Sequence, residues 1–291
     1  MGLLRGKGYL ALAPLLVALL AVEGYPLAYT FYLSVTDYST GGFIGAVNYA
    51  QLLTAGYFAQ AVLTSIAYSL GSTALALGIG LLLAFQVSRL RKGKGVLESV
   101  LLAPLATTPI FAGVVWAPDG VWDDFNTFWH FILGQPYFNP ASSLFYFPVM
   151  ILSDAWEWAP LVMLVSLGIL ASVPSEVYEA AEVSGASGWQ IFRRRGLPSI
   201  LKSPVMQFVV VIRFVDAMRT FEIPFTWSTW VSLPQAGSPL DTLSLLLFKL
   251  FTVPIYGFPI GQISAMALSL LLVTLAATTV LFTLLRRSAQ R

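Results

Sequence analysis

Four ionisable residues recur at every third position of a stretch that is otherwise apolar. They are Arg213, Asp216, Arg219 and Glu222. If this stretch is helical, residues three apart are neighbours on its surface, so the alternating charges can pair along the helix. Ionisable side chains in apolar surroundings are costly, and they mark solute pathways when they do not neutralise one another. The pattern therefore favours either mutual neutralisation or a polar cavity that a solute contacts.

A second group combines acids with tryptophans within five positions: Asp154, Trp156, Glu157 and Trp158. Carboxylates accept hydrogen bonds from hydroxyl groups, and an indole face can stack on the CH groups of a sugar ring. An aromatic belt at a membrane interface would give the same pattern. Both interpretations stay open, and the two groups together are the candidates for a substrate pathway.

Several kinds of chemistry are excluded by composition. The chain has no cysteine, which excludes disulfides, thiolate metal sites, iron-sulfur clusters and cysteine nucleophiles. Its single histidine, His130, lies among aromatic residues, so we predict an interfacial or packed side chain and no metal site. No GxxxxGK[ST] motif is present, so the sequence contains no phosphate-binding loop of this type. We predict no catalytic residue and no cofactor on this chain.

The overall composition is that of a membrane protein. Hydrophobic residues make up 57% of the chain and charged residues 10%, whereas soluble domains carry about 25% charged residues. The net charge of +2 fits an orientation signal better than a nucleic-acid partner. We therefore predict an all-α, polytopic transmembrane helical bundle in a lipid bilayer.

Six tracts provide the apolar residues, about 20, that a helix needs to cross a bilayer. They are residues 8–33, 61–87, 99–117, 144–171, 203–225 and 259–285. The first is predicted to be a retained span and not a signal peptide, because its apolar run continues to Leu33 without a small-residue cleavage site. The tract from Asp241 to Tyr256 is short for a span, so we predict an interfacial or re-entrant helix on the outer side.

The basic residues test this count independently. Most of them form four clusters, Arg5 and Lys7, Arg89 to Lys94, Arg193 to Lys202, and Arg286 to Arg291. Six spans place all four clusters on one side, which the positive-inside rule identifies as cytoplasmic, together with both termini. No internal repeat or soluble domain is apparent, so residues 1–291 are predicted to form a single transmembrane domain.

The longest cytoplasmic insert, residues 172–202, contains signals for a short helix. Pro174 and Ser175 favour a helix start, with Ser175 as the cap. Gly185 suits the left-handed residue that ends a helix. Between them, one apolar stripe is formed by Val177, Ala180 and Ala181.

A second short helix is predicted to follow. Ser187 and Gln190 form a capping box at its start. Gly196 and Pro198 favour its end, with Arg193 to Arg195 in the last turn. Helices this short are marginal in isolation, so they need a partner surface, either in this protein or in a groove of another subunit.

The insert resembles the EAA loop in membrane subunits of bacterial ATP-binding-cassette importers. The residues that carry this resemblance are Glu179, Ala180, Ala181, Gly185, Phe192, Leu197 and Pro198. Tyr25-Pro26, the stretch Ser34 to Tyr49, and Phe221 to Phe251 are similar to the sugar-permease branch of the same family. The sequence departs from the family pattern at Ser184, Arg195 and the segment 230–234.

The resemblance implies a fold, a location and partners. The residues from Glu179 to Gly185 would form a coupling helix in a cleft of a cytoplasmic ATPase subunit, and the whole loop would transmit ATP-driven closure to the membrane subunits. The implied partners are a second permease in a heterodimer, two ATPase subunits that hold ATP and Mg, and an extracytoplasmic solute-binding protein. The implied protein is a multi-pass component of the bacterial inner membrane that imports sugars or polyols such as glycerol phosphate.

Two other functions remain as alternatives. A self-sufficient secondary transporter or channel usually shows repeat symmetry and broken helices in matching halves, and the six unrepeated spans argue against it. An intramembrane enzyme is disfavoured because thiol and histidine-metal chemistry are nearly closed off.

Overall fold

The computed structural model describes residues 12–90, 92–136, 138–140, 142, 144–230, 238, 240–252 and 259–290. Apart from an isolated bridge between Thr36 and Phe43, the regular structure of these residues is helical. This agrees with the predicted all-α class. Some sequence predictions lie outside the described residues: those for residues 8–11, Arg5, Lys7, Arg91, Arg291, the segment 231–234 and the end of the short tract at 253–256.

The helices follow one another with short connections. In the first half they are α1 Leu12–Ser34, α2 Val47–Thr54, α3 Gly56–Ser88, α4 Lys94–Leu101, α5 Pro109–Val115 and α6 Val121–Thr127. In the second half they are α7 Tyr146–Ala171, α8 Ser175–Val183, α9 Gly188–Ile191, α10 Leu197–Lys202, α11 Pro204–Arg219, α12 Glu222–Trp230, α13 Leu243–Thr252 and α14 Ile260–Gln290. Single π-helical turns occur at Leu20–Gly24, Phe128–Ile132 and Phe192–Gly196.

Four of the helices in the described part of the chain are long and apolar enough to cross a bilayer. These are α1, α3, α7 and α14, at the first, second, fourth and sixth predicted spans. They make the chain a multi-pass membrane protein. The number of six spans and the side of the termini stay predictions.

The third and fifth predicted spans are each broken. Between α4 and α5 the backbone forms a 3-10 turn over Ala103–Ala106, because Pro104 and Pro109 cannot donate the hydrogen bonds of a continuous α-helix. Between α11 and α12, Thr220 is extended, with ψ 127°. An apolar tract of sufficient length is therefore not one helix in either place.

Backbone contacts divide the chain into two compact units, so the single domain over residues 1–291 stays a prediction. The first unit contains residues 1–59 and 247–272. Within it, the Asn48 side chain donates to the Ser34 carbonyl at 2.9 Å, and the Tyr49 hydroxyl donates to Ser34 Oγ at 2.8 Å. These bonds tie α2 to the end of α1. A Cβ on Gly261 would lie 2.5 Å from Asn48 Nδ2, so α14 requires glycine at this contact.

The second unit contains residues 60–246 and 273–291. Its centre is the pair α3 and α7, which approach closely because glycines of α3 face branched side chains of α7. A Cβ on Gly71 would lie 2.9 Å from Ile151 Cδ1, and one on Gly80 would lie 2.5 Å from Val162 Cβ. Small residues allow this approach in membranes, where packing and not water exclusion holds helices together.

The variant Gly80→Ala should destabilise the protein by about 1–3 kcal/mol, because the added methyl overpacks the α3–α7 contact. Gly78→Ala is the matched control, since a Cβ there meets no atom within 4 Å. The control should be as stable as the parent protein or up to about 1 kcal/mol more stable, because alanine favours a helix over glycine. Thermal unfolding of the two purified variants measures the difference, and equal midpoints would contradict the close contact.

Candidate functional site

The first half of the 172–202 loop is helix α8, which begins after Pro174. Pro174 occupies the cap position and no side chain caps the helix, so the prediction of Ser175 as the cap is wrong. The inner face of α8 carries Tyr178, whose hydroxyl donates to the Leu170 carbonyl at 3.4 Å. Burial raises the pKa of Tyr178, which keeps this donor protonated. Ala181 is half-buried on the same side.

The opposite face of α8 is exposed. It presents Glu179, Ala180 and Val183, which we call the docking face. Val183 is 90% exposed, although it is a branched apolar side chain. The stripe predicted from sequence, Val177, Ala180 and Ala181, does not include Val183, because spacing alone does not determine which side of the helix is buried.

The end of α8 is closed by a left-handed glycine, as predicted. Gly185 has φ 78°, its N–H donates to the Glu182 carbonyl at 2.9 Å, and the Ala186 N–H donates to the Ala181 carbonyl at 3.1 Å. This pair of bonds is a Schellman motif, in which the residue at Gly185 needs a positive φ. The position therefore depends on glycine for its conformation, since a Cβ there would meet no neighbour.

The second half of the loop begins with the predicted capping box. The Gln190 N–H donates to Ser187 Oγ at 3.3 Å, and the Ser187 N–H donates to Gln190 Oε1 at 2.8 Å. The predicted end at Gly196 and Pro198 is wrong, because the chain continues through the π turn Phe192–Gly196 into α10. The wider turn accommodates Pro198, which has no N–H to donate.

Gly196 has a packing role instead of a capping role. Its φ is −62°, in the ordinary helical region, and a Cβ there would lie 3.0 Å from Leu170 Cδ2. The glycine lets the π turn lie directly against the end of α7. Arg193 to Arg195 in the same turn are exposed.

Phe192 anchors the loop to the membrane helices. Its ring is buried and lies 4.9 Å from the ring of Phe85 on α3. Around it is a hydrophobic cluster formed by Val162, Ile200, Met206 and Val210, with Leu170 and Leu197 packed against it. Pro198 is half-buried beside them. The loop thus holds an exposed docking face on a buried support.

The charged candidates meet in a second place, inside the unit. Arg213 on α11 and Asp154 on α7 form an ion pair in which each side chain is 1% exposed. Ser72 on α3 donates to Asp154 and accepts from Arg213. Asp216 pairs with Arg213 at 3.1 Å. We call Ser72, Asp154, Arg213 and Asp216 the ionic cluster, and it connects three helices.

The structure uses only part of the predicted pairing along the 213–222 stretch. Arg213 and Asp216 pair as neighbours, but Arg213 also reaches Asp154 on another helix. Arg219 is exposed, and half-buried Glu222 accepts from the Phe221 N–H at 3.1 Å. Ser72 was not predicted, because a serine in a long apolar tract gives no sign of a charged neighbour.

The tryptophans beside Asp154 have different neighbours. The guanidinium of Arg213 lies 4.9 Å from the ring centroid of Trp158, a cation–π contact. Trp156 meets Trp116 edge to face at 6.0 Å. Glu157 is 6% exposed, and its Oε2 has no hydrogen-bond partner in the described part of the chain.

No cluster suited to a metal ion occurs among the described residues: no three His, Asp or Glu side chains come together. His130 Nδ1 lies 2.8 Å from the Gln135 carbonyl oxygen. The described residues thus present an exposed helix face on the 172–202 loop and a buried ionic cluster.

Comparison with known proteins gives a consistent result. Residues 76–291 match the model of the family described as binding-protein-dependent transport system inner membrane component. The trehalose/maltose transport system permease protein MalF of Thermococcus litoralis is 30% identical, over 86% of this chain and 85% of that protein. The sn-glycerol-3-phosphate transport system permease protein UgpA of Yersinia pseudotuberculosis is 25% identical, over 85% of this chain and 82% of that protein.

The fold is also similar to solved structures. A bacterial ABC transporter involved in the import of the acidic polysaccharide alginate contains a chain that matches 96% of this one, with TM-score 0.76 and 21% identity. The same kind of alginate transporter in complex with a periplasmic protein that holds an alginate pentasaccharide matches 97% of this chain, with TM-score 0.75 and 20% identity. These matches cover 94% of each of those chains.

Proposed function

The chain belongs to the family of binding-protein-dependent transport system inner membrane components, and from this premise we propose that it is the permease subunit of an ATP-driven importer for sugars or related polyols. The sugar class is supported by relatives whose names give trehalose, maltose and sn-glycerol 3-phosphate as their solutes. The location that follows is the bacterial inner membrane, with several spans.

The observation that carries the coupling mechanism is the two-sided structure of the 172–202 loop. One side is fixed by Phe192 and the cluster around it, while Glu179, Ala180 and Val183 face outward. A rigid loop with a small exposed helix suits a helix-in-groove contact. We propose that an ATPase subunit receives this face, that ATP and Mg are bound there, and that its closure moves the membrane helices.

The proposed role of the ionic cluster is to hold the helices that line the solute pathway. Asp154 and Arg213 pair with each other and, with Ser72, hold α3, α7 and α11 together, although Arg213 Nε has no hydrogen-bond partner among the described residues. Glu157 has an unpartnered oxygen close to this cluster in sequence. We propose Glu157 as the acid that a solute hydroxyl contacts, with Trp156, Glu222 and Arg219 at the margins of the pathway.

The proposed assembly has further members. A second permease would complete the pathway as a heterodimer, two ATPase subunits would drive it, and an extracytoplasmic solute-binding protein would deliver the sugar. The alginate transporter with its periplasmic protein supplies the model for such a complex.

Uptake by the reconstituted assembly tests this function. Proteoliposomes that contain the chain, its second permease and the ATPase subunits should accumulate labelled trehalose, maltose or glycerol phosphate only with ATP and the binding protein. Accumulation by the chain alone, without an ATPase, would favour the alternative of a self-sufficient transporter or channel and would contradict the proposal.

The variant Val183→Asp should weaken the complex with the ATPase about 10- to 30-fold, because it replaces the most exposed apolar side chain of the docking face with a charge. The measurement is the dissociation constant of the purified permease and ATPase subunits. Val96→Asp on α4 is the matched control, since Val96 is also well exposed, at 73%, but lies outside the loop. A control that weakens binding as much as Val183→Asp would remove the docking face from the interface.

A further inference from the structure

A cavity of about 800 Å³ lies between the 172–202 loop and the adjoining ends of α3 and α7. Its volume is within the range of roughly 300–1,000 Å³ that is typical of small-molecule sites. Its polar lining residues are Ser88, Arg89, Lys94, Tyr178 and Glu182. Its apolar lining residues include Phe85, Leu167 and Leu170. The cavity is thus amphipathic and lies behind the docking face.

Arg89 is one of the two cations that line the cavity. Its guanidinium lies over the ring of Phe85, 5.4 Å from the centroid. No carboxylate in the described part of the chain forms an ion pair with it. Gly188 makes room for it, since a Cβ on that residue would lie 3.3 Å from Arg89 Cζ. Among the described residues the Arg89 guanidinium therefore has no ion-pair partner, although Glu182 lines the same cavity.

Lys94 is the second cation that lines the cavity. It pairs with Glu98 at 3.8 Å, and its side chain is 46% exposed. Such exposed pairs contribute little, so the ammonium group is available to an anion. Glu182 is the acid that lines the cavity with these two cations. The cavity therefore favours a ligand with a negative charge.

The polar and apolar lining residues together favour one kind of anion. A free phosphate would contact Arg89 and Lys94 but would leave the cavity-facing surface of Leu167 and Leu170 uncovered. A phospholipid matches both kinds of residue, because its charged headgroup continues into glycerol and acyl carbons. Basic pockets between helices at the cytoplasmic side of a membrane have this recognised chemistry. Both α3 and α7 end here as long apolar helices, which puts the cavity at the predicted inner interface.

We propose that this cavity binds an anionic phospholipid of the inner leaflet. The headgroup phosphate lies between Arg89 and Lys94, and the first acyl carbons lie against Leu167 and Leu170. Because Tyr178 and Glu182 belong to the inner face of α8, the lipid also supports the docking face from behind. This inference goes beyond sugar import and does not depend on which solute is carried.

Native mass spectrometry of the purified full chain tests the site. The chain is mixed with phosphatidylglycerol or with phosphatidylcholine, and retained lipid is counted. One phosphatidylglycerol should be retained in preference to phosphatidylcholine. Each basic residue removed at a membrane surface weakens such binding about fivefold. Arg89→Gln/Lys94→Gln should therefore lower the affinity for phosphatidylglycerol about 25-fold, and the exposed Lys94→Gln alone about fivefold.

The control variant is Arg193→Gln/Arg194→Gln, which removes the same charge from exposed positions outside the cavity. It should retain phosphatidylglycerol like the parent chain, and Glu182→Gln should bind it more tightly. Equal losses in the control and the cavity variant, or normal retention by Lys94→Gln, would overturn the proposal. So would displacement of the lipid by millimolar inorganic phosphate, which would identify a site for soluble phosphate. These readouts need neither an ATPase nor transport, so their failure is distinct from failure of the importer function.

Discussion

Gly185→Val is expected to reduce solute uptake at least tenfold while the protein is inserted in normal amounts. Valine is β-branched, and the φ of 78° at this position costs such a residue about 1–3 kcal/mol. The strain would break the bonds from Gly185 to Glu182 and from Ala186 to Ala181, which end α8. The docking face would then lose its fixed angle. ATP-dependent uptake in proteoliposomes, normalised to permease content, measures the effect.

Gly93→Val is the control for this variant. Gly93 has φ 71°, and its Cβ would also meet no atom within 4 Å, so the backbone strain is equal. It precedes α4 and lies outside the 172–202 loop. Uptake should stay within about twofold of the parent, since the strain does not reach the docking face. Normal uptake by Gly185→Val would show that transport does not depend on the conformation of the loop at Gly185.

Arg213→Met is expected to lower the free energy of unfolding by about 3–5 kcal/mol, because Asp154 stays buried after its cation is removed. Methionine keeps much of the volume, so packing changes little. Ser72 still donates to Asp154 but carries no charge. Titration with SDS in mixed micelles, followed by circular dichroism, measures the free energy of unfolding.

Two further variants isolate the ion pair. Arg219→Met removes the same kind of side chain from an exposed position on the same helix, and it should cost no more than about 0.5 kcal/mol. Arg213→Met/Asp154→Asn removes both charges and should recover most of the stability lost by the single variant. A double variant as unstable as Arg213→Met would show that packing of Arg213, and not its charge, stabilises the cluster.

Apolar length predicted the four long helices, because α1, α3, α7 and α14 contain enough apolar residues without a break. The same criterion could not show the breaks in the third and fifth tracts. There the backbone conformation is set by Pro104, Pro109 and the extended Thr220. A hydropathy value is averaged over a window of residues, so it does not show the position at which a backbone hydrogen bond is missing.

Local signals predicted the loop more completely than the ionic cluster. Gly185 and the capping box of Ser187 and Gln190 depend on neighbours within five residues, so the local sequence contains what determines them. Gly196 and Ser72 owe their roles to side chains on distant segments. Which face of α8 is exposed likewise depends on packing, so Val183 could not be identified from spacing alone.

The glycine contacts between α3 and α7 have a mechanical consequence. The close contacts at Gly71 and Gly80 hold α3 against α7 at two positions that are about 14 Å apart along α3. The hydrogen bond from Ser72 to Asp154 lies next to the Gly71 contact and also joins the two helices. Two helices in contact at two separated positions cannot rotate relative to each other without breaking one of the contacts. During a transport cycle α3 and α7 should therefore move together as one rigid body. Bending should be concentrated where α11 begins and ends, at the extended residues Ser203 and Thr220.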